Sequence, residues 1–142
     1  MAGHVAHAQV TVDATPQEAW SALTEPARIK EWMVGTTVST SWEVGSPITW
    51  EGEYDGHSYE DKGEVLEVDP GRSLAVTHYS PLTGREDRPE NYHTVSYEVD
   101  RVDGGTQITL DQDGNESQEQ AEQFSQKWQS MLDALKTYVE RS

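Results

Sequence analysis

The chain has 142 residues, and its 10 Lys and Arg stand against 26 Asp and Glu, a formal net charge of -16. So large a negative charge opposes binding to phosphate backbones and anionic surfaces, which excludes nucleic acid as a partner. Because Cys is absent, disulfides, thiolate zinc sites and cysteine nucleophiles are excluded. No apolar run approaches the roughly 20 residues of a spanning helix, so we expect one cytoplasmic domain over residues 1–142 without membrane insertion.

The first elements are a strand and two short helices. Val5–Val12 alternates as a strand does, and Thr15 then offers an N-cap hydroxyl three residues before the carboxylate of Glu18. Pro16 suits the first helical position, and Pro26 interrupts the helix before a second short one. The apolar positions of the two helices are Ala19, Trp20, Leu23, Ile29, Trp32 and Met33.

From Thr37 onward the apolar period changes to two, which predicts a run of antiparallel strands. The predicted strands cover residues 48–54, Tyr59–Val68, Leu74–Tyr79, Asn91–Val102 and Thr106–Gln112. Turn residues separate them at 55–56, 69–71 and 103–105, and residues 113–115 end the sheet. The charged, Gly- and Pro-containing segment Thr83–Glu90 is predicted to be a long exposed loop.

A long helix closes the chain. Ser117 with Gln120 three residues later is a second capping pattern, and apolar residues then recur at three- and four-residue spacings almost to the end. Such a stripe must pack on a large apolar surface, and the predicted sheet supplies one. The order of elements therefore predicts an α+β fold, in which a curved antiparallel sheet of about six to seven strands wraps on the C-terminal helix.

Several stretches resemble a known family. They are residues 14–20, 29–32, 63–70 with Leu74, 95–99, 104–106, and Trp128 with Met131, Leu132 and Leu135. With them the chain resembles the START-like (SRPBCC) helix-grip superfamily of the birch-pollen allergen, and more narrowly the family named after the activator of heat-shock-protein-90 ATPase. The resemblance implies a cavity between the long helix and the sheet, which in different members holds lipids, steroids or polyketides. It departs at Thr77, which is followed by His78 where similar sequences often carry Trp.

Three polar side chains are candidates for chemistry in such a cavity. His78, Tyr79 and Tyr97 could act as acid, base or hydrogen-bond donor, but alternation lets only one of the adjacent pair His78 and Tyr79 face inward. No activating partner is visible in the sequence. We therefore assign no catalytic residue and expect polar contacts only.

Other titratable residues give weaker signals. Glu67 shares a strand face with Val65, so it is either buried against Arg72 or Arg101 or a solvated edge carboxylate. The His residues lack recognisable ligand spacing and no phosphate-cradling or dinucleotide fingerprint occurs, so we expect no metal and no cofactor.

The expected site is a ligand cavity between the C-terminal helix and the concave face of the sheet. The predicted contacts are Trp50, Tyr97, Trp128, Met131 and Gln112, with His78 or Tyr79 as a further polar group. The leading hypothesis is non-enzymatic binding of a small hydrophobic molecule of lipid, steroid or polyketide type. The alternatives are a co-chaperone-like domain that contacts a chaperone through its acidic surface, and a cyclase or hydrolase acting on a polyketide-like substrate. Either a monomer or a homodimer is compatible with the sequence.

Overall fold

The structure is a computed structural model that describes residues 4–33, 35–54, 56–80, 86–115 and 117–141. Seven strands and three α-helices follow one another in these residues, and a short 3-10 helix, Pro89–Asn91, precedes the sixth strand. In chain order they are β1 His4–Val12, α1 Pro16–Thr24, α2 Pro26–Trp32, β2 Thr37–Ser39, β3 Pro47–Tyr54, β4 His57–Asp69, β5 Ser73–His78, β6 His93–Val102, β7 Gly105–Asn115 and α3 Gln118–Arg141.

The strands form one antiparallel sheet in the order β1-β7-β6-β5-β4-β3-β2. The chain leaves β1 through the two short helices, enters the sheet at its other edge with β2, and returns strand by strand to pair β7 with β1. Helix α3 then packs across the sheet. The predicted α+β helix-grip fold is therefore confirmed, including the two short helices after the first strand. None of the described helices has both the length and the apolar character needed to span a membrane.

Both predicted caps are present at the helix starts. The hydroxyl oxygen of Thr15 accepts a hydrogen bond from the backbone N–H of Glu18 at 3.1 Å, and that of Ser117 accepts one from Gln120 at 3.0 Å. Each bond satisfies one of the amide groups that a helix start leaves without an intrahelical partner. The capping residues thus determine where α1 and α3 begin.

The core lies between α3 and the concave face of the sheet. Leu132 and Leu135 are fully buried, and they pack in one cluster with inward-facing strand residues such as Val65, Ile108 and Leu110. Because strand side chains alternate between faces, every second residue of β7 from Thr106 to Gln112 is buried, and Ile108 and Leu110 belong to this cluster. The stripe predicted on the C-terminal helix therefore faces the sheet.

Strand β7 extends further than its sequence predicted. The prediction ended the strand at Gln112, whereas β7 continues through Gly114 to Asn115, which lies opposite His4 of β1. The buried side-chain amide of Asn115 donates to the carbonyls of His4 and Gln112. Asn is common in turns, but here its side chain links the end of β7 to β1. Of the predicted turn 55–56 and loop 83–90, residues 55 and 83–85 lie outside the described part of the chain.

A β-bulge in β4 decides the position of Glu67. Val65 lies opposite Val76 of β5, but Glu67 lies opposite the adjacent residue Ala75, so β4 has one extra residue between them. The bulge breaks the alternation, and both Leu66 and Glu67 are exposed. Of the two alternatives for Glu67, the solvated carboxylate is confirmed and the buried pair with Arg72 or Arg101 is wrong.

Candidate functional site

A cavity of about 710 Å³ lies between α3, α2 and the concave face of strands β3 to β6. We call it the helix–sheet cavity. Most of its wall is aliphatic or aromatic, since strands β3, β5 and β6 present alternate apolar side chains to it and the helices add more. The main apolar side chains of the wall are Leu23, Ile29, Trp32, Met33, Val38, Trp42, Ile48, Trp50, Leu74, Val76, Val95, Trp128 and Met131.

Five of the seven predicted contact residues line this cavity. Trp50 lies on β3, His78 on β5 and Tyr97 on β6, whereas Trp128 and Met131 lie on one face of α3. The sequence had placed them together because strand alternation and helical spacing put each on the face that meets the core. All five are only partly buried, so each keeps surface that faces the cavity.

The structure places Gln112 behind the cavity wall rather than in it. Its side chain does face inward, as alternation predicts, but it is only 3% exposed and its Oε1 accepts a hydrogen bond from the indole Nε1–H of Trp128. Trp128 thus lies between Gln112 and the cavity. Here Gln112 fixes the orientation of an aromatic wall residue.

Tyr79 lies on the opposite face of the sheet from His78. Its ring stacks on that of Tyr92 with centroids 5.2 Å apart, next to an exposed ion pair between Lys62 and Asp87. Tyr92 donates a hydrogen bond to the Asp87 carboxylate, which raises the pKa of Tyr92. The contact with Asp87 also raises the pKa of Lys62, and the contacts with Lys62 and Tyr92 lower the pKa of Asp87. Alternation therefore selects His78 as the inward member of the pair.

Asp61 is a cavity residue that the sequence analysis missed. It lies directly opposite Trp50 in the β3–β4 register, lines the cavity, and its Oδ2 is 2.9 Å from Nε2 of His78. The His78 ring in turn meets Trp50 edge-on, with centroids 5.0 Å apart. The Asp61 side chain is 15% exposed, and its Oδ1 is buried with no hydrogen-bond partner among the described residues.

A signal for Asp61 was present in the sequence. Counting back by two from the buried Val65 gives Gly63, Asp61 and Tyr59, which all face inward, and Asp61 and Tyr59 line the cavity. The same alternation counted forward from Val65 gives Glu67, where the bulge intervenes. Asp61, the partner of His78, therefore lies on the neighbouring strand β4, and strand alternation places it on the inward face of the sheet.

Hydroxyl groups complete the polar part of the wall. The hydroxyl of Thr36 donates to the carbonyl of Met33 at 2.9 Å, so the Tyr59 hydroxyl, 2.8 Å from Thr36 Oγ1, donates to it. Burial raises the pKa of Tyr97, which keeps its phenol protonated at neutral pH. The cavity therefore holds neutral hydroxyls beside one carboxylate–imidazole pair.

No described group of three or more His, Asp or Glu side chains is arranged to hold a metal ion. His7, which the sequence placed in the first strand, forms an ion pair with Asp111 at 2.7 Å, where both side chains are about half exposed. Such an exposed pair contributes little to stability. The side chains of Asp61 and His78 are less exposed than those of this pair.

Comparison with known proteins gives a family and a fold. Residues 13–140 match the family described as Activator of Hsp90 ATPase homolog 1-like protein. Among curated proteins, none matches the sequence significantly. The solution structure of ChR145 from Cytophaga hutchinsonii is 38% identical, with a TM-score of 0.86, over 99% of this chain and 97% of that one.

Two more distant structures share the fold. The Aha1 dimer from Colwellia psychrerythraea is 20% identical with a TM-score of 0.73, over 96% of both chains. DynU16, a protein in the dynemicin biosynthetic locus, is 23% identical with a TM-score of 0.78 over 96% of this chain. This chain spans only 47% of the length of DynU16. At these identities the similarity concerns the fold.

Proposed function

The chain belongs to the family described as Activator of Hsp90 ATPase homolog 1-like protein, and from this membership together with its cavity we propose that it binds a small hydrophobic molecule. The binding site is the helix–sheet cavity. The observation that carries the proposal is its volume of about 710 Å³ behind an aromatic and aliphatic wall. Ligand pockets for small molecules have volumes of about 300 to 1,000 Å³ and walls of this composition.

The tryptophans of the wall support stacking rather than hydrogen bonding to the ligand. Trp32 donates its indole N–H to the carbonyl of Ala22, and Trp42 donates to the carbonyl of Thr24, each at 2.8 Å. Trp128 donates to Gln112. With these donors engaged inside the protein, what three of the four rings offer a ligand is aromatic surface, which suits planar or polycyclic apolar molecules.

The polar residues of the wall would orient such a ligand. Tyr97 and the Asp61–His78 pair lie among apolar side chains, and a few polar groups in an apolar pocket fix the orientation of what binds there. The location of DynU16 in a biosynthetic locus is compatible with a role of this fold in small-molecule chemistry. We expect recognition through apolar area, with hydrogen bonds at one end.

Fluorescence titration tests the proposal. N-phenyl-1-naphthylamine is neutral, so the net charge of -16 does not repel it, and its emission rises in apolar surroundings. We expect saturable binding with energy transfer from the Trp residues, and a weakening of about tenfold in Trp50→Ala from the loss of aromatic contact area.

Trp20→Phe is the matched control, because Trp20 packs against the core but does not line the cavity. It should leave the affinity unchanged. If the wild-type protein bound the probe without saturation, or if Trp20→Phe and Trp50→Ala weakened binding equally, the proposal would fail. A protein-interaction function would then take its place.

A further inference from the structure

The helix–sheet cavity contains one hydrogen-bonded polar pair, Asp61 and His78. We propose that Asp61 and His78 form a subsite that selects ligands with a hydrogen-bond donor, namely an alcohol or phenol hydroxyl, over ligands of the same shape without one. This inference rests on the proposed function of the cavity. It assigns the chemical class of the ligand's polar end.

The first step is the tautomer of His78. Its Nε2 is 2.9 Å from Oδ2 of Asp61, and a carboxylate can only accept, so Nε2 carries the proton. In the neutral ring the other nitrogen, Nδ1, is then an acceptor. No described residue is hydrogen-bonded to Nδ1, and His78 lines the cavity.

The second step is the unsatisfied oxygen of Asp61. Its Oδ1 is buried and has no partner among the described residues, whereas buried polar atoms in folded proteins nearly always have one. A carboxylate oxygen is satisfied only by a donor. Oδ1 of Asp61 therefore accepts a hydrogen bond and cannot donate one, and Nδ1 does the same when the His78 ring is neutral.

No other described polar group of the wall, the phenol of Tyr97 included, is hydrogen-bonded to Oδ1 of Asp61. Tyr59 uses its single proton on Thr36, and Lys127 lies on α3 with its Nζ 5.2 Å from the centre of the Phe124 ring. Glu53 is another acceptor in the wall. A hydroxyl on the ligand supplies what Asp61 and His78 lack, while its apolar body occupies the space beside Trp50.

A matched pair of probes isolates the hydroxyl. 2-Naphthol and 2-methoxynaphthalene have the same ring system, but only the naphthol can donate a hydrogen bond. We measure both by displacement of N-phenyl-1-naphthylamine. The wild-type protein should bind 2-naphthol about tenfold more tightly, the ratio expected for one additional hydrogen bond in a partly enclosed site.

A double variant should remove this preference. Asp61→Leu takes away both carboxylate oxygens at nearly the same side-chain size, and His78→Phe keeps a ring beside Trp50 but has no nitrogen. With both changes, the affinity ratio should fall to about one while 2-methoxynaphthalene binds within about twofold of wild type. Asp111→Asn is the matched control, since it alters the exposed Asp–His pair outside the cavity and should keep the ratio.

The outcomes separate this inference from the proposed function. If the wild-type protein binds both probes with equal affinity, the subsite is overturned and the apolar cavity stands. If it binds neither, both proposals fall. A ratio that persists in the double variant Asp61→Leu/His78→Phe, or that favours the methyl ether in the wild type, also overturns the subsite. The wild-type ratio decides by itself should the double variant fail to fold.

Discussion

Leu132 and Trp128 lie one turn apart on α3, yet their surroundings differ. Leu132 is fully buried among the core residues, whereas Trp128 is partly buried and lines the cavity. Helical spacing predicts that both face the sheet, since residues four apart share one face. The spacing alone does not distinguish a residue that fills the core from one that borders a cavity.

At Leu132 we predict a large loss of stability. Leu132→Ala should lower the free energy of unfolding by about 3 kcal/mol, because it removes buried methyl groups and leaves a void. Urea unfolding measures this. The control Ser130→Ala is on the exposed side of the same helix and should change the free energy by less than about 0.5 kcal/mol. A loss below about 1 kcal/mol for Leu132→Ala would contradict the packing described here.

Individual site residues were predictable where one periodicity settles their direction. Trp50 and Tyr97 could be given the inward face of the sheet from alternation alone. Gln112 could be given the correct face, but not the hydrogen bond to Trp128 that covers it, because that contact depends on where α3 crosses the sheet. Asp61 could be given the inward face by counting back from Val65, but its contact with His78 depends on how β4 and β5 pair.

At the scale of elements, β4 and β5 approach each other closely at Gly63. A Cβ atom built on Gly63 would lie 1.8 Å from the backbone carbonyl oxygen of Thr77, far inside van der Waals contact. The Thr77 hydroxyl also accepts a hydrogen bond from the backbone N–H of Glu64 at 2.8 Å. Any side chain at residue 63 would therefore push β4 and β5 apart close to Asp61 and His78.

We therefore predict that Gly63→Ala destabilises the protein by at least about 2 kcal/mol, because the backbone must shift to admit the methyl group. Thermal and urea unfolding measure the change. Ser58→Ala, at an exposed position of the same strand, should be nearly neutral. If Gly63→Ala were equally neutral, the close approach of β4 and β5 would be incorrect.

A second element-scale feature is a like-charge pair across β3 and β4. Glu51 and Glu60 lie directly opposite each other, and a hydrogen bond between their carboxyl groups, together with their like charge, raises the pKa of Glu51. A raised carboxyl pKa means that the folded state disfavours the ionised form. The repulsion is thus present at neutral pH and is lost as the pH falls through the carboxyl range near 4.5.

Glu60→Lys replaces this repulsion with an attraction and should raise the melting temperature at neutral pH and low salt. The difference from wild type should shrink as the pH is lowered. Glu43→Lys changes the net charge equally but at an exposed loop position away from this pair, so it should raise the melting temperature less. Equal effects of the two substitutions would mean that only the overall charge matters.

The extents of the helices and of strands β1 and β3 to β7 were predictable from the sequence to within a few residues, apart from two irregularities, whereas the short strand β2 was not delimited. The caps at Thr15 and Ser117 fixed the helix starts, because a capping hydroxyl acts locally. The bulge after Val65 and the extension of β7 to Asn115 depend on pairing with a distant strand. Local sequence patterns do not show which distant strands will pair or in what register.

At the scale of the whole molecule, the net charge of -16 is a source of self-repulsion. Raising the NaCl concentration from about 10 to 150 mM shortens the screening length from about 30 to 8 Å, so we predict that the melting temperature rises by several degrees. Differential scanning calorimetry measures this. A melting temperature that did not change with salt would show that the surface charges are already balanced locally.

The architecture was predictable because the order of elements and the resemblance to helix-grip proteins point to the same fold, which the structure and the family match bear out. The interior space was a different matter. Whether α3 and the sheet interdigitate or leave about 710 Å³ open depends on the volumes and rotamers of side chains from several elements at once. Periodicity predicts which way a side chain points, but not whether the space next to that side chain is filled or empty.

The central claim is that the helix–sheet cavity takes up a small apolar molecule, and the five indole N–H signals in a ¹H–¹⁵N spectrum test it most directly. Trp32, Trp42, Trp50 and Trp128 line the cavity, whereas Trp20 does not. On titration with 2-methoxynaphthalene, we predict saturable shifts of the four cavity signals, from the ring current of the bound probe, and no shift of the Trp20 signal. Five unchanged signals, or a Trp20 shift as large as the others, would contradict the claim.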